Sequence, residues 1–300
     1  MTMRVTDVNS FAAVRTRLQL VQADVRRLQE ELSSGRQLIS ADQNPLGAGE
    51  VVRAGSRLAA LDQYGKSTTF GTQVLSAQDD ALGQATSLLV RAEELASQQA
   101  SGLYNADQRA AAKVEVQGLL KQLVTTGNSE LAGRRLFGGL ALDAAAPFTD
   151  PDSAGWTAAT AYVGSTYEAE FKVGDGASER VRVSTRGDTV FGSALTALEG
   201  LETALNGTGP VQPSITALQD ARNAITAERA SVGARQAQLT ARGAQINALS
   251  LQEETTQSNL RDTDFAAAAS QLVEAQTALQ AVISAASQMK DTSITALLKL

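Results

Sequence analysis

The stretch from Asp262 to Leu300 constrains this chain more than any other. Phe265, Leu272, Leu279 and Ala286 recur every seven residues, and Ala268, Ala275, Val282 and Met289 fall three residues after each. That is an a/d heptad seam, the pattern of a helix that lies along another helix. Alanines at the first two d positions let a partner backbone approach closely. Ala266, Ala267, Ala269, Val273, Ala278, Ala281, Ile283 and Ala285 spread apolar groups around most of the remaining circumference, and Glu274 is the single charge between Phe265 and Met289. A helix apolar nearly all round is covered on several sides. This one closes the chain, where fraying is the default. The pattern predicts burial by neighbouring subunits.

A second clean seam lies at the other end. Phe11, Val14, Leu18, Val21, Val25, Leu28 and Leu32 step by three and four, with Arg15, Arg17, Arg26, Arg27, Glu30 and Glu31 off the stripe. Asn9 or Ser10 is the expected N-cap. Ser33-Ser34-Gly35 ends the helix, with Gly35 suited to a left-handed C′ position. The two terminal stripes can pair with each other and with copies of themselves. The candidate assembly interface is therefore Phe11, Val14, Leu18, Val21, Val25, Leu28, Leu32, Phe265, Leu272, Leu279, Val282, Ile283, Ala286 and Met289.

Composition removes whole classes of chemistry. The 300 residues contain no cysteine and no histidine. Disulfides, thiolate chemistry, the commonest general base and the usual triads are thereby excluded. A net charge of −6, with no Lys/Arg block against it, argues against a nucleic-acid surface. Residues 1–7 lack the apolar core of a secretory signal, and no run of about twenty apolar residues offers a membrane span. The sequence predicts no enzyme, cofactor or metal site.

Between the termini the chain is nested. Arg36–Gly49 reads as a loop, with Pro45 pushing Asn44 out of helical geometry. A long helical region follows from Val51 to about Gln99, and a further helix from Ala106 to Thr126 capped by Asn105. Phe137–Phe191 differs: it holds the only Trp (Trp156) and four of the seven Phe. Tyr167, Ala169, Phe171 and Val173 alternate with charged residues. After Gly174-Asp175-Gly176, Val181 and Val183 alternate with Arg180 and Arg182, which predicts a β-hairpin with Glu170 opposite Arg182. Leu195, Leu198, Leu201 and Leu205 resume the helical period. Leu218, Ile225, Val232, Leu239 and Ile246 then recur every seven residues, but their d partners Glu228, Arg235 and Arg242 are polar. The fold class is mainly α. Residues 1–40 and 262–300 form a terminal helical core, 41–139 and 191–261 a helical rod, and 140–190 a β-rich outer insert folding on its own apolar face.

Against that frame the motifs resemble the flagellin family of axial proteins of the bacterial flagellum, over most of 3–140 and 190–300. Leu32-Ser33-Ser34-Gly35 is similar to the family's turn after the first helix. Asp42-Gln43-Asn44-Pro45 stands where the family usually shows Ser-Asp-Asp-Pro, without the acidic pair. Glu93-Glu94-Leu95-Ala96 with Gly102 resembles its Glu-Leu-Ala…Asn-Gly stretch. Arg135-Leu136-Phe137-Gly138-Gly139 followed by Pro147-Phe148 is similar to a pattern of the family's hook–filament junction members rather than its filament subunits. The resemblance implies paired terminal helices, a rod and an outward β domain. It implies unfolded export by the flagellar type III route without a cleaved signal, and an extracellular place in the flagellum. Its implied partners are copies of itself in a ring or short helical layer, the first hook-associated protein, flagellin and an export chaperone.

Other motifs carry less. Arg186-Gly187-Asp188 matches an adhesive tripeptide, but a turn with Gly at positive φ explains it more simply. Asp79-Asp80 and Glu93-Glu94 lie on long helices, where neighbours point apart onto solvated faces. Phe137-Gly138-Gly139 lacks the Lys and the strand–helix frame of a phosphate loop. A flagellin-type filament subunit is the competing function; a helical signalling module of the chemoreceptor kind is disfavoured by the aromatic insert.

Overall fold

The computed structural model describes residues 3–37, 44–100, 105–140, 146–176, 179–207 and 210–297, with the side chains of 3–11 and 289–297 outside the described set. In chain order these form α1 (Met3–Ser34), α2 (Pro45–Ala100), α3 (Ala106–Gly127), β1 (Glu130–Leu131), β2 (Arg134–Arg135), β3 (Glu170–Lys172), β4 (Arg180–Arg182), α4 (Gly187–Asn206), α5 (Gln212–Arg261) and α6 (Phe265–Leu297). The two sheets are antiparallel pairs, β1 with β2 and β3 with β4. The chain divides into two compact units, Met1–Ala59 with Ser250–Leu300, and Ala60–Leu249.

Helix boundaries follow local chemistry. α1 begins at Met3 rather than at Asn9 or Ser10. Asn and Ser cost only about 0.5 kcal/mol each inside a helix, and a helix this long absorbs them. α2 begins at Pro45, six residues before the expected Val51. Proline is pre-set for the first helical position, and Asn44 Oδ1 accepts the Gly47 N–H at 2.9 Å as the cap. α3 carries the expected Asn105 cap as a full capping box, Asn105 accepting from Gln108 N–H while Gln108 accepts from Asn105 N–H.

In the unit of residues 60–249, α2 and α5 run antiparallel. Gly65 lies against Ile246, Gly71 against Leu239 and Gly83 against Arg229. Asp79 takes a bidentate grip from Arg229 at 3.0 and 3.1 Å, and Glu93 accepts from Arg222 at 2.8 Å. α3 packs on α4. Leu75, Leu82 and Leu89 of α2, Leu123 of α3, Leu195, Leu198 and Leu201 of α4, and Leu218 and Ile225 of α5 are fully buried in one cluster.

The β-rich segment shares that cluster rather than folding on its own face. Phe137, Phe148, Val173 and Val181 belong to it. The Phe137 ring meets Phe191 of α4 edge-on at 4.8 Å, and Phe148 meets Phe191 at 5.8 Å. Asn128, the cap of α3, brackets the Phe148 backbone, donating to its carbonyl at 2.9 Å and accepting its N–H at 2.8 Å. Strands of three residues bury too little to stand alone, so the segment borrows its core from the helices. The hairpin register is as the alternation requires, Glu170 opposite Arg182 and Phe171 opposite Val181. Arg182 nonetheless pairs with Glu168, at 2.8 Å, because that carboxylate is less exposed.

Phe191 holds the ring contacts of both Phe137 and Phe148 with α4. Phe191→Ala is expected to cost about 3–5 kcal/mol, read as a lower urea midpoint. Fluorescence of Trp156 in the insert and circular dichroism of the helices should lose structure in one shared transition.

Candidate assembly surface

In the unit that contains both ends of the chain, α1 packs along α6. The end of α1 meets the start of α6, so the two run antiparallel. A short backbone bridge makes that junction: Gln37 N–H donates to Arg261 O at 2.7 Å, and Thr263 N–H donates to Gly35 O at 3.0 Å. Gly35 has φ +69°, the left-handed position expected for it, and the edge of the Phe265 ring would lie 3.5 Å from any Cβ there. Asp264 Oδ1 accepts the N–H groups of Ala266 and Ala267 and caps α6. The Arg261 guanidinium, bonded to the Asp262 carboxylate at 2.9 Å, holds that group below the usual carboxylate range, with Ser258 and Arg36 acting the same way.

The expected interface residues sort by exposure. Val21 and Leu28 are buried; Val14, Leu18, Val25, Leu32, Leu272, Leu279, Val282 and Ala286 are half-buried, on the faces that the α1–α6 pairing covers in part. Phe265 is 58% exposed, its ring closing over Gly35 rather than entering the seam, and Ile283 is 51% exposed. The side chains of Phe11 and Met289 lie outside the described residues. Val273, 63% exposed, extends the open apolar face of α6, and Leu20, 55% exposed, does the same on α1. Leu46, Val52 and Leu251, also open, were missed by seam reasoning, which looks for apolar residues in register. Their signal was the reverse: large aliphatics that fall off any stripe of α2 or α5. Among the described residues no helix is long and apolar enough to cross a membrane.

The remaining motifs are internal. Arg186 grips Asp188 through two hydrogen bonds, so the tripeptide's charges satisfy each other. Gly187 opens α4 as a helical residue instead of a positive-φ turn. The Phe148 ring stands 2.7 Å from where its Cβ would be, and that close approach is why glycine sits there. Asp79 and Glu93 are held by arginines of α5, and Glu94 by Arg91.

A pair of terminal helices in one unit, and a mainly helical bundle with two small hairpins in the other, define a protein of the long-helix class whose two ends fold together. The pattern of the bacterial flagellin N-terminal helical region matches residues 6–141, and that of the C-terminal helical region matches residues 215–298, together more than half of the chain. The chain belongs to the bacterial flagellin family. It is 28% identical over 173 residues to flagellar hook-associated protein 3 of Escherichia coli K12, covering 57% of this chain and 51% of that protein. With the same-named protein of Salmonella typhimurium it shares 31% identity over 128 residues, 42% of this chain and 40% of that one. The matched stretches thus span about half the length of these curated relatives or less. A solved structure of flagellar hook-associated protein 3 from Legionella pneumophila has the same fold, with a TM-score of 0.61 at 13% identity, over 70% of this chain and 98% of that one.

Two measurements check the junction of α1 with α6. Gly35→Ala forces a side chain into left-handed geometry, at about 1–2 kcal/mol, and should speed amide exchange at Gln37 and Thr263 while leaving α3 unchanged. Because the Asp262 carboxyl is held low in the folded chain, its contribution is complete above the ordinary carboxylate pKa. That contribution disappears as pH falls through the lowered value. Thr263 amide shifts should therefore move on acidification below about pH 4, and Asp262→Asn should abolish that step.

Proposed function

We propose that this chain is the hook–filament junction subunit of the bacterial flagellum. It joins the first hook-associated protein to flagellin by packing its terminal helices among those of neighbouring subunits. The observation that carries the reading is the open apolar face of α6, Val273 and Ile283, on a helix already paired with α1 through its other side. An exposed aliphatic row beside a used seam is surface kept for a partner. The names of its relatives tie them to the flagellar hook; the terminal helices supply the means of joining further subunits. Residues 1–40 and 262–300 act as the assembling core, and copies of the chain form a ring or short helical layer. Export precedes assembly, in an unfolded state with a cytoplasmic chaperone guarding the ends, and the working place is outside the cell. A filament subunit would use the same terminal pairing, so the deciding experiment is genetic: cells lacking the chain should carry bare hooks and shed flagellin into the medium.

Substitution separates assembly from folding. Leu279 is half-buried within the chain, so Leu279→Asp should disturb both the α1–α6 pair and filament attachment. Val273→Asp and Ile283→Asp should leave monomer circular dichroism unchanged and remove filaments, since an unpaired carboxylate in a closed apolar contact costs several kcal/mol, roughly 2–5. Gln280→Asp, on an exposed polar position, is the control. Normal filament counts in the Val273→Asp and Ile283→Asp cells would sink the reading of α6 as the assembly face.

A further inference from the structure

α2 and α5 each carry a double heptad. In α2 the buried series are Thr68, Leu75, Leu82, Leu89, Ala96 and Gly71, Gln78, Ala85, Ala92, Gln99. In α5 they are Leu218, Ile225, Val232, Leu239, Ile246, all buried, and Ser214, Ala221, Glu228, Arg235, Arg242. Such seams are degenerate. Sliding one helix by seven residues sets the leucines of α2 on aliphatic residues of α5 again, and the apolar contact by itself hardly distinguishes the two registers. What breaks the repeat in its middle is polar: Gln78 in the small series of α2, and Glu228, Arg235 and Arg242 in that of α5. Thr68 and Gln99 stand at the ends of the α2 series, with Thr68 Oγ1 and Gln99 Oε1 unpartnered among the described residues.

These residues do not simply face each other across the helix pair. Each is read by the β-rich insert. Gln78, fully buried, donates from Nε2 to Leu136 O at 2.9 Å and to Val183 O at 3.0 Å. Thr185 Oγ1 stands 3.3 Å from Gln78 Oε1 and 3.5 Å from Glu228 Oε1, so one hydroxyl lies between both helices. Glu228 is ion-paired with Arg235, whose guanidinium also reaches Arg182 O at 3.4 Å. Arg235 is buried, and burial lowers the stability of its charged form, which makes its few partners decisive. One heptad further on, Arg242 donates to Val173 O at 2.8 Å and pairs with Glu179.

We propose that the β-rich insert is a register key: it selects one of the heptad-related alignments of α2 on α5 by pairing with Gln78, Glu228, Arg235 and Arg242 in that alignment alone. In a slipped register Ala85 or Gly71 would stand where Gln78 stands, leaving the Leu136 and Val183 carbonyls without donors. The Gln78 amide would meanwhile enter apolar packing. Leaving buried polar groups unpaired costs far more than their pairing contributes, so the key acts chiefly by penalising wrong alignments. The proposal stands on contacts within residues 60–249 and does not depend on the flagellar reading.

The absence of cysteine makes the test clean. Thr68→Cys with Gly243→Cys reports the native register, because a Cβ on Gly243 lies 3.6 Å from Thr68 Cγ2, within disulfide reach. Thr68→Cys with Gln236→Cys, and Leu75→Cys with Gly243→Cys, report slips of one heptad in either direction. In the otherwise native chain only the first pair should cross-link on mild oxidation. In the background Gln78→Met, Glu228→Met, Arg235→Met, the slipped pairs should rise from undetected to a substantial share while helix content is kept. Native-only cross-linking in that background, or slipped cross-linking in the native chain, overturns the proposal. Should the triple variant fail to fold, Gln78→Met alone, close in length and shape, is decided by the same cross-links: slipped product supports the key, and its absence removes it.

Discussion

The antiparallel contact of α2 with α5 is what residues 60–249 depend on. Both helices carry small and aliphatic residues at seven-residue spacing, and Gly65, Gly71 and Gly83 of α2 lie against Ile246, Leu239 and Arg229 of α5. Around that contact α3 and α4 add one further layer, and the insert fills the remaining side. The ion pairs of Arg229 with Asp79 and Arg222 with Glu93 are more than a third exposed on the arginine side. Exposed pairs contribute little, ~0–1 kcal/mol each. Cohesion therefore comes from buried leucines, and specificity from the few buried polar groups.

The terminal unit solves a different problem. Two helices in water recover, through one shared seam, only part of the backbone entropy spent in ordering them, which is about 1–2 kcal/mol per residue. The bridge from Gly35 to Thr263 and from Gln37 to Arg261 fixes where the pair begins, so the α1–α6 contact need not pay for finding its own register. The pair leaves Val273 and Ile283 of α6 uncovered, and the proposed assembly rests on them. Such surface makes sense where a further partner completes the burial.

Much of this was legible in the sequence because periodicity reports faces. The stripes on α1 and α6, the cap at Asn105, the left-handed Gly35 and the β3–β4 register all follow from spacing and local backbone chemistry. Partners were less legible. Arg182 choosing Glu168 over Glu170, and Phe265 turning onto Gly35 instead of into the seam, are decided by side chains distant in sequence or by small differences in exposure. Helix starts were misplaced at Met3 and Pro45, since a long helix outweighs internal Asn and Ser, and proline reads as a breaker when it is in fact an initiator. Arg186-Gly187-Asp188 looked like a turn because glycine's freedom is visible in sequence, whereas the Phe148 and Tyr162 rings that demand it are not.

The polar d positions of α5 teach the same point from the other side. As a pattern, Glu228, Arg235 and Arg242 look like a weakened stripe. In the folded chain they are where the hairpin docks. Tyr64 of α2 donates to Asp175 at 2.6 Å, at the hairpin tip, and Arg242 of α5 holds the Val173 carbonyl at 2.8 Å where β3 enters that turn. The aromatic segment thus differs in composition without being separate in structure. Alanine- and leucine-rich helices can pack on one another with small side chains, but the corner where a hairpin of three-residue strands meets two helices needs larger ones. Phe171 fills it, stacked on Phe70 of α2 at 5.7 Å, while Phe137 and Phe148 meet Phe191 where the segment joins α4. A shift in composition along a chain marks a change in packing chemistry, and it becomes a domain boundary only when the new segment buries enough of itself to stand alone.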